Sequence, residues 1–141
     1  MKKISKISVC AVLAFSLIQL IPVKRTNPAV QEEVPASPEV RSVLQRACYD
    51  CHSNETRWPW YSRIAPASWL VAHDVREGRE KLNFSTWNLF SAKKQTKAFR
   101  EIREEVEESE MPPWIYLLPH PDARLSERDR AILVQWADSG H

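Results

Sequence analysis

The chain has 141 residues, 20 of them basic and 18 acidic, which is room for one domain and a leader. The net charge is +2, falling to −1 without Lys2, Lys3 and Lys6, so no basic face marks a nucleic-acid binder. Three cysteines, Cys10, Cys48 and Cys51, are too few for a disulfide framework.

The first element is a leader over residues 1–22. Met1 to Lys6 is basic, and Ile7 to Ile21 is apolar apart from Ser8, Ser16 and Gln19. A run of 15 residues suits an export segment better than a full membrane span of about 20. The segment is either a signal or a membrane anchor. Bulky Gln19-Leu20-Ile21-Pro22-Val23 offers no small-x-small cleavage site, so it is read as an uncleaved anchor. The leading lysines keep the N-terminus cytoplasmic and export the rest, so the expected location is the periplasm, tethered to the inner membrane. Cys10 is read as a lipid-facing bystander.

Residues 23–38 read as a proline-rich linker, extended and holding the domain off the membrane. The domain proper is expected over 39–141. Val40, Val43, Leu44 and Ala47 share one helical face that leads into Cys48. A second helix is expected from Pro66 to Gly78, with Trp69, Leu70, His73 and Arg76 as its stripe and Gly78 closing it at positive φ. A third runs from Ser91 to Glu107 on Phe99, Ile102 and Val106. Its acidic end, Glu104 to Glu110, opposes the helix dipole and is read as a solvated face. The last helix opens at Ser126-Glu127-Arg128-Asp129, a capping box with Asp at its third position, and Ile132, Leu133, Trp136 and Ala137 give it a narrow apolar face. No segment alternates as a strand does. The fold class is therefore all-α.

Chemistry concentrates in Cys48-Tyr49-Asp50-Cys51-His52. Two thiols spaced by two residues on a helical turn match the fixed separation of the haem vinyl groups. The adjacent histidine then reaches the iron from the same side, so the motif reads as c-type haem attachment. A thioredoxin-like pair would need a βαβ context, and a structural zinc site would need four ligands. Haem c, covalent and one per chain, is the expected cofactor. For the far side of the iron, Met111 is the sole methionine beyond Met1, in a loop stiffened by Pro112 and Pro113. His73 is its rival, and His120, between Pro119 and Pro121, ranks below both. Trp58 and Trp60 are read as a clamp around Pro59 and as walls of the haem crevice. Arg57, Arg63, Arg76 and Arg79 are candidates to pair with haem propionates, Arg79 and Arg76 sharing the histidine-bearing helix.

These blocks resemble the bacterial haem-binding domain family, small exported monohaem c-type proteins. The matching stretches are Cys48 to Ser53, Trp58-Pro59-Trp60-Tyr61-Ser62, Ile64 to Trp69, His73 to Arg79, Leu82 to Trp87, Met111-Pro112-Pro113, and Leu125-Ser126 with Leu133 and Trp136. The resemblance implies covalent haem at Cys48 and Cys51 with His52 on iron. A looser similarity to class I cytochromes c rests on the attachment helix, the late Met-Pro and the C-terminal helix. It departs where Val40 and Leu44 stand in place of the glycine and aromatic at the helix crossing. The fold implied is a small cytochrome c-like helical domain around one haem, preceded by a hydrophobic helix.

The expected function is periplasmic electron transfer with a periplasmic or membrane redox protein as partner. The alternatives are a haem-based enzyme or gas sensor with a displaceable distal ligand, and an accessory domain of a periplasmic redox complex. No catalytic set is recognisable, so the protein is not expected to be an enzyme, although peroxidase-like activity stays open.

Overall fold

The computed structural model describes residues 6–140. Most of the basic n-region and the terminal His141 lie outside these residues. Among the described residues there are seven α-helices and no strand, so the all-α expectation holds.

Helix α1 (Lys6–Ile18) buries none of its residues. Among the described residues, no helix is long and apolar enough to cross a membrane. Helix α2 (Pro38–Ala47) starts at Ser37, whose hydroxyl accepts from Val40 N, with Pro38 at the first helical position. It buries Val40, Val43, Leu44 and Ala47, the four residues its period singled out. Helix α3 (Tyr49–His52) is a single turn, separated from α2 by Cys48 at φ −124°, ψ −33°. Helix α4 (Ala67–Lys81) packs on α3 and on the 3₁₀ turn Trp60–Arg63.

Two readings of α4 need correction. It buries Ser68, Val75 and Gly78, while Trp69, Leu70, His73 and Arg76 face outwards. The inner face is made of small residues because the backbone of α3 lies against it, which a stripe of large apolar residues cannot permit. Gly78 does not end the helix, and no glycine has positive φ; α4 runs one turn further to Lys81.

Helix α5 (Ala92–Glu107) is capped by Ser91 and buries Ala98, Phe99, Ile102 and Val106. Its acidic end is compensated from outside. Arg130 of helix α7 (Glu127–Ser139) donates to the Val106 carbonyl at 2.8 Å and to Ser109 Oγ at 2.9 Å. A guanidinium thus supplies the cation that the last turn of α5 lacks. The short helix α6 (Trp114–Leu117) leads through Pro121–Ala123 to α7. Helices α5 and α7 pack together, and α2 crosses α7. Their shared core includes Leu44, Phe99, Ile102, Leu133 and Ala137.

The Ser126 capping box forms as expected. Asp129 N donates to Ser126 Oγ, and the Asp129 carboxylate accepts from Ser126 N at 2.9 Å. Burial pushes the Asp129 carboxyl up, but the Ser126 bonds and the Arg46 ion pair at 3.0 Å outweigh it and hold it below 3.8. A group depressed in the folded state stabilises above its unfolded pKa, and that stability is lost as pH falls through the folded value. Asp129→Ala should therefore cost about 1 kcal/mol in urea denaturation at neutral pH. The gap to wild type should close below the ordinary value of 3.8.

The stretch read as a spacer is extended, but it does not stand off. It runs along the domain as a strap. Arg25 donates to the Ser62 carbonyl, Asn27 to the Thr56 carbonyl, Gln31 N to the Ser85 carbonyl and Val34 N to the Phe84 carbonyl, all at 2.9–3.0 Å. Val34 is fully buried, and Trp136 donates its indole N–H to the Pro35 carbonyl. An extended segment has no internal hydrogen bonds, so its backbone groups pair with the domain edge instead.

Candidate haem-attachment site

Cys48 sits at the break between α2 and α3, and Cys51 one turn later. Cys51 N and His52 N both donate to the Cys48 carbonyl, at 3.2 and 2.9 Å. The pair therefore lies on one helical turn, as the spacing requires. Burial first, then mutual proximity, pushes the Cys48 thiol up to about 12. Burial, with Asp74 and Asp50 nearby, does the same to Cys51. Both are thiols at neutral pH.

His52 is oriented by α4. Its Nδ1 lies 3.0 Å from the Gly78 carbonyl and 3.1 Å from the Leu82 carbonyl. Carbonyls only accept, so Nδ1 carries the proton and Nε2 keeps its lone pair. Burial holds the imidazole below its usual range, which keeps the ring neutral. Phe84 lies edge-on to the ring at 6.3 Å, and Phe84 N donates to the His52 carbonyl.

Gly78 is required by close approach rather than by a turn. A Cβ there would lie 2.5 Å from the Cys51 carbonyl oxygen and 3.0 Å from its carbon. This contact presses α3 onto α4 and brings the Gly78 carbonyl within reach of His52. Behind the motif lies a buried polar weave. Asn83 donates to Asn54 Oδ1, Ser85 N to Asn83 Oδ1, and Asn54 N to Ser85 Oγ, each at 2.9 Å. It fixes the backbone leaving His52 against the backbone leaving α4.

Asp50, between the cysteines, is buried and accepts from Arg57 N at 3.0 Å and from Tyr116 Oη at 2.8 Å. Tyr116 belongs to α6, so this bond fastens the loop that begins at Met111 onto the attachment turn. Tyr116 stacks on His120 at 4.4 Å, and His120 Nε2 lies 2.7 Å from Tyr61 Oη. Tyr61, Tyr116 and His120 line a cavity of about 40 Å³ together with Cys51, Val71 and Asp74.

Several expected site residues fall elsewhere. His73 is on the outer face of α4, beside Arg76 and Glu77. It lines a different cavity, of about 570 Å³, with Trp58, Trp69 and Arg76. Trp58 and Trp60 form no clamp. Trp58 donates to Asn27 of the strap, whereas Trp60 points to solvent and is 74% exposed. Arg79 directs its donors at protein oxygens and not outwards. They reach Ser53 O at 2.7 Å, Thr26 O at 2.8 Å, Thr56 Oγ1 at 2.8 Å and Asn27 Oδ1 at 3.1 Å. Met111 is 37% exposed in the loop after α5, with its N–H on the Glu105 carbonyl. Its neighbour Pro112 is buried.

Tyr61, Tyr116 and His120 are the residues that sequence reasoning passed over or ranked low. Tyr116 and His120 stand four apart, in a loop punctuated by Pro112, Pro113, Pro119 and Pro121. That spacing was the available signal.

The family model described as haem-binding domain matches residues 13–139. The chain belongs to the haem-binding domain family. No curated protein and no solved structure matched in the same kind of comparison. Family membership supports a haem cofactor, and the donor set fits one. A neutral histidine held through Nδ1 presents Nε2 as an iron ligand, the arrangement that second-shell carbonyls impose on ligating histidines. Among the described residues no group of three His, Cys, Asp or Glu side chains gathers to hold a bare metal ion.

Proposed function

We propose that the haem of this domain is covalently attached at Cys48 and Cys51 and that His52 is its proximal ligand. We further propose that the protein transfers electrons in the periplasm, tethered to the inner membrane through its N-terminal segment. The observation that carries the reading is the pair of carbonyls, Gly78 and Leu82, on His52 Nδ1, directly beside the two thiols. Haem iron supplies one-electron chemistry by passing between ferric and ferrous states. The chain's own part is to orient the imidazole, exclude water with Phe84 and the α4 backbone, and hold the loop 111–122 across the site through Tyr116.

Met111 is proposed as the distal ligand, because it is the one methionine beyond Met1 and opens the loop that Tyr116 fastens to the attachment turn. A thioether there would raise the reduction potential relative to a second imidazole. The test is the absorption spectrum of the native protein and of Met111→Ala. We expect the native sulfur-to-iron charge-transfer band to vanish in the variant. An unchanged spectrum would eliminate Met111 and leave the histidines.

A second reading is a displaceable distal ligand, as in a gas sensor or peroxide-using enzyme. It is favoured by the polar set Tyr61, His120 and Tyr116 beside Cys51. Under the electron-transfer reading, the ferrous native protein should not bind carbon monoxide at neutral pH. Ready formation of that complex would favour the second reading.

A further inference from the structure

We propose that the corner of the domain from Trp60 to Leu70 rests on the lipid bilayer, so that the haem domain is mounted on the membrane surface and not suspended from it. The proposal rests on the reading of α1 as lipid-embedded.

The first observation is a two-way clasp. Gln19, just past the end of α1, donates from Nε2 to the Ala65 carbonyl at 3.2 Å and accepts from Ala65 N at 2.9 Å. A primary amide that bonds both ways to one residue fixes both position and orientation. The strap then continues along the domain through Arg25 to the Ser62 carbonyl and Asn27 to the Thr56 carbonyl. No slack length of chain separates α1 from the domain.

The second observation is what surrounds the clasp. Trp60, Ile64, Trp69 and Leu70 are all exposed, and each lies within five residues of Ala65. At about 3.5 Å per residue, none of their backbones is more than about 17 Å from it. Helix α1 itself exposes Val9, Val12, Leu13, Phe15 and Leu17, and buries nothing against the domain. Two apolar surfaces therefore meet at the clasp without covering each other. One apolar medium covers both.

Charge and residue type identify that medium. Tryptophan is the residue of membrane–water boundaries, with an apolar ring and a polar N–H. Lys24, which lines a cavity with Trp69, Arg25, which donates to the Ser62 carbonyl, and Arg63, at the end of the 60–63 turn, stand around the corner, where anionic headgroups would sit. The acidic cluster Glu104 to Glu110 covers the last turn of α5 and the loop after it, and α5 packs against α7. A protein partner would have to cover α1 as well, and α1 offers no polar group along its middle for specific recognition.

The consequence bears on the site. Tyr61, next to Trp60, is one wall of the cavity at Cys51. A corner held at the headgroup level keeps the attachment turn at a fixed, short height above the bilayer.

The test uses the full haem-loaded chain in vesicles of phosphatidylethanolamine and phosphatidylglycerol. Nitroxide labels are placed singly at Trp60→Cys, Leu70→Cys and, as an equally apolar control, Leu89→Cys, each in a Cys10→Ser background. Native Cys10 provides a separate label inside α1. All labelled proteins should keep the wild-type haem spectrum. Power-saturation measurements then compare oxygen with a water-soluble nickel chelate. We expect nickel accessibility at positions 60 and 70 to fall several-fold below that at position 89, and oxygen to dominate at position 10. Labels at 60 and 70 as nickel-accessible as 89, with position 10 in lipid, would overturn the mounting alone. A water-exposed label at position 10 would overturn the lipid reading of α1 and the mounting with it. Two independent labels keep the result readable if one substitution disturbs the corner.

Discussion

Replacing Gly78 with alanine is expected to lower stability and haem loading together, against the direction that helix propensity sets. In the middle of an exposed helix, glycine to alanine would gain about 1 kcal/mol. Here the new Cβ would stand 2.5 Å from the Cys51 carbonyl oxygen, and its next neighbours are also Cys51 atoms. These are backbone and Cβ atoms, which cannot swing aside as a long side chain does. Overpacking of this kind costs about 1–3 kcal/mol. Relief requires α3 to move off α4, which lengthens the bond from His52 Nδ1 to the Gly78 carbonyl. We expect a net loss of about 2 kcal/mol in thermal or urea unfolding. The haem absorbance per polypeptide should fall in step. A more stable variant with full haem content would mean that the close approach of α3 and α4 is not what positions the motif.

The second large effect is expected at Arg79. Its guanidinium ties the strap, through Thr26 and Asn27, to the segment after the attachment motif, through Ser53 and Thr56. Hydrogen bonds to a charged donor are worth more than neutral ones, and their loss leaves four oxygens to find water. Arg79→Met should cost about 3 kcal/mol. Arg79→Lys should recover little of this, because a single ammonium cannot span four acceptors arranged around a planar fork. Trypsin should then cleave after Lys24 or Arg25 at a rate that the wild type resists. If Arg79 instead held a haem propionate, both variants would shift the reduction potential and leave the strap protected.

The contrast between Arg79 and the cysteines shows what was readable in the chain. The turn that carries Cys48, Cys51 and His52 was legible because it depends on local spacing alone. Helices α2, α5 and α7 were legible because each buries one apolar stripe against another helix. Helix α4 was not, because its inner face meets a backbone and is therefore small, while its large residues Trp69 and Leu70 face outwards. Amphipathic period carries no sign that distinguishes those cases. The strap was misread for a related reason. Proline-rich composition correctly gave extended backbone, but the partners of that backbone, such as Ser85 and Phe84, lie fifty or more residues away. Arg79 looked like a ligand-binding arginine because its four acceptors come from two distant segments. His120 and Tyr61, 59 residues apart, meet only through the fold.

The most direct test of the account is the intact mass of the exported protein under denaturing conditions, for wild type and for Cys48→Ala/Cys51→Ala. The account predicts that unfolded wild-type chain carries one haem in covalent linkage and that the double variant carries none. Wild-type chain that releases its haem on unfolding would contradict attachment at Cys48 and Cys51.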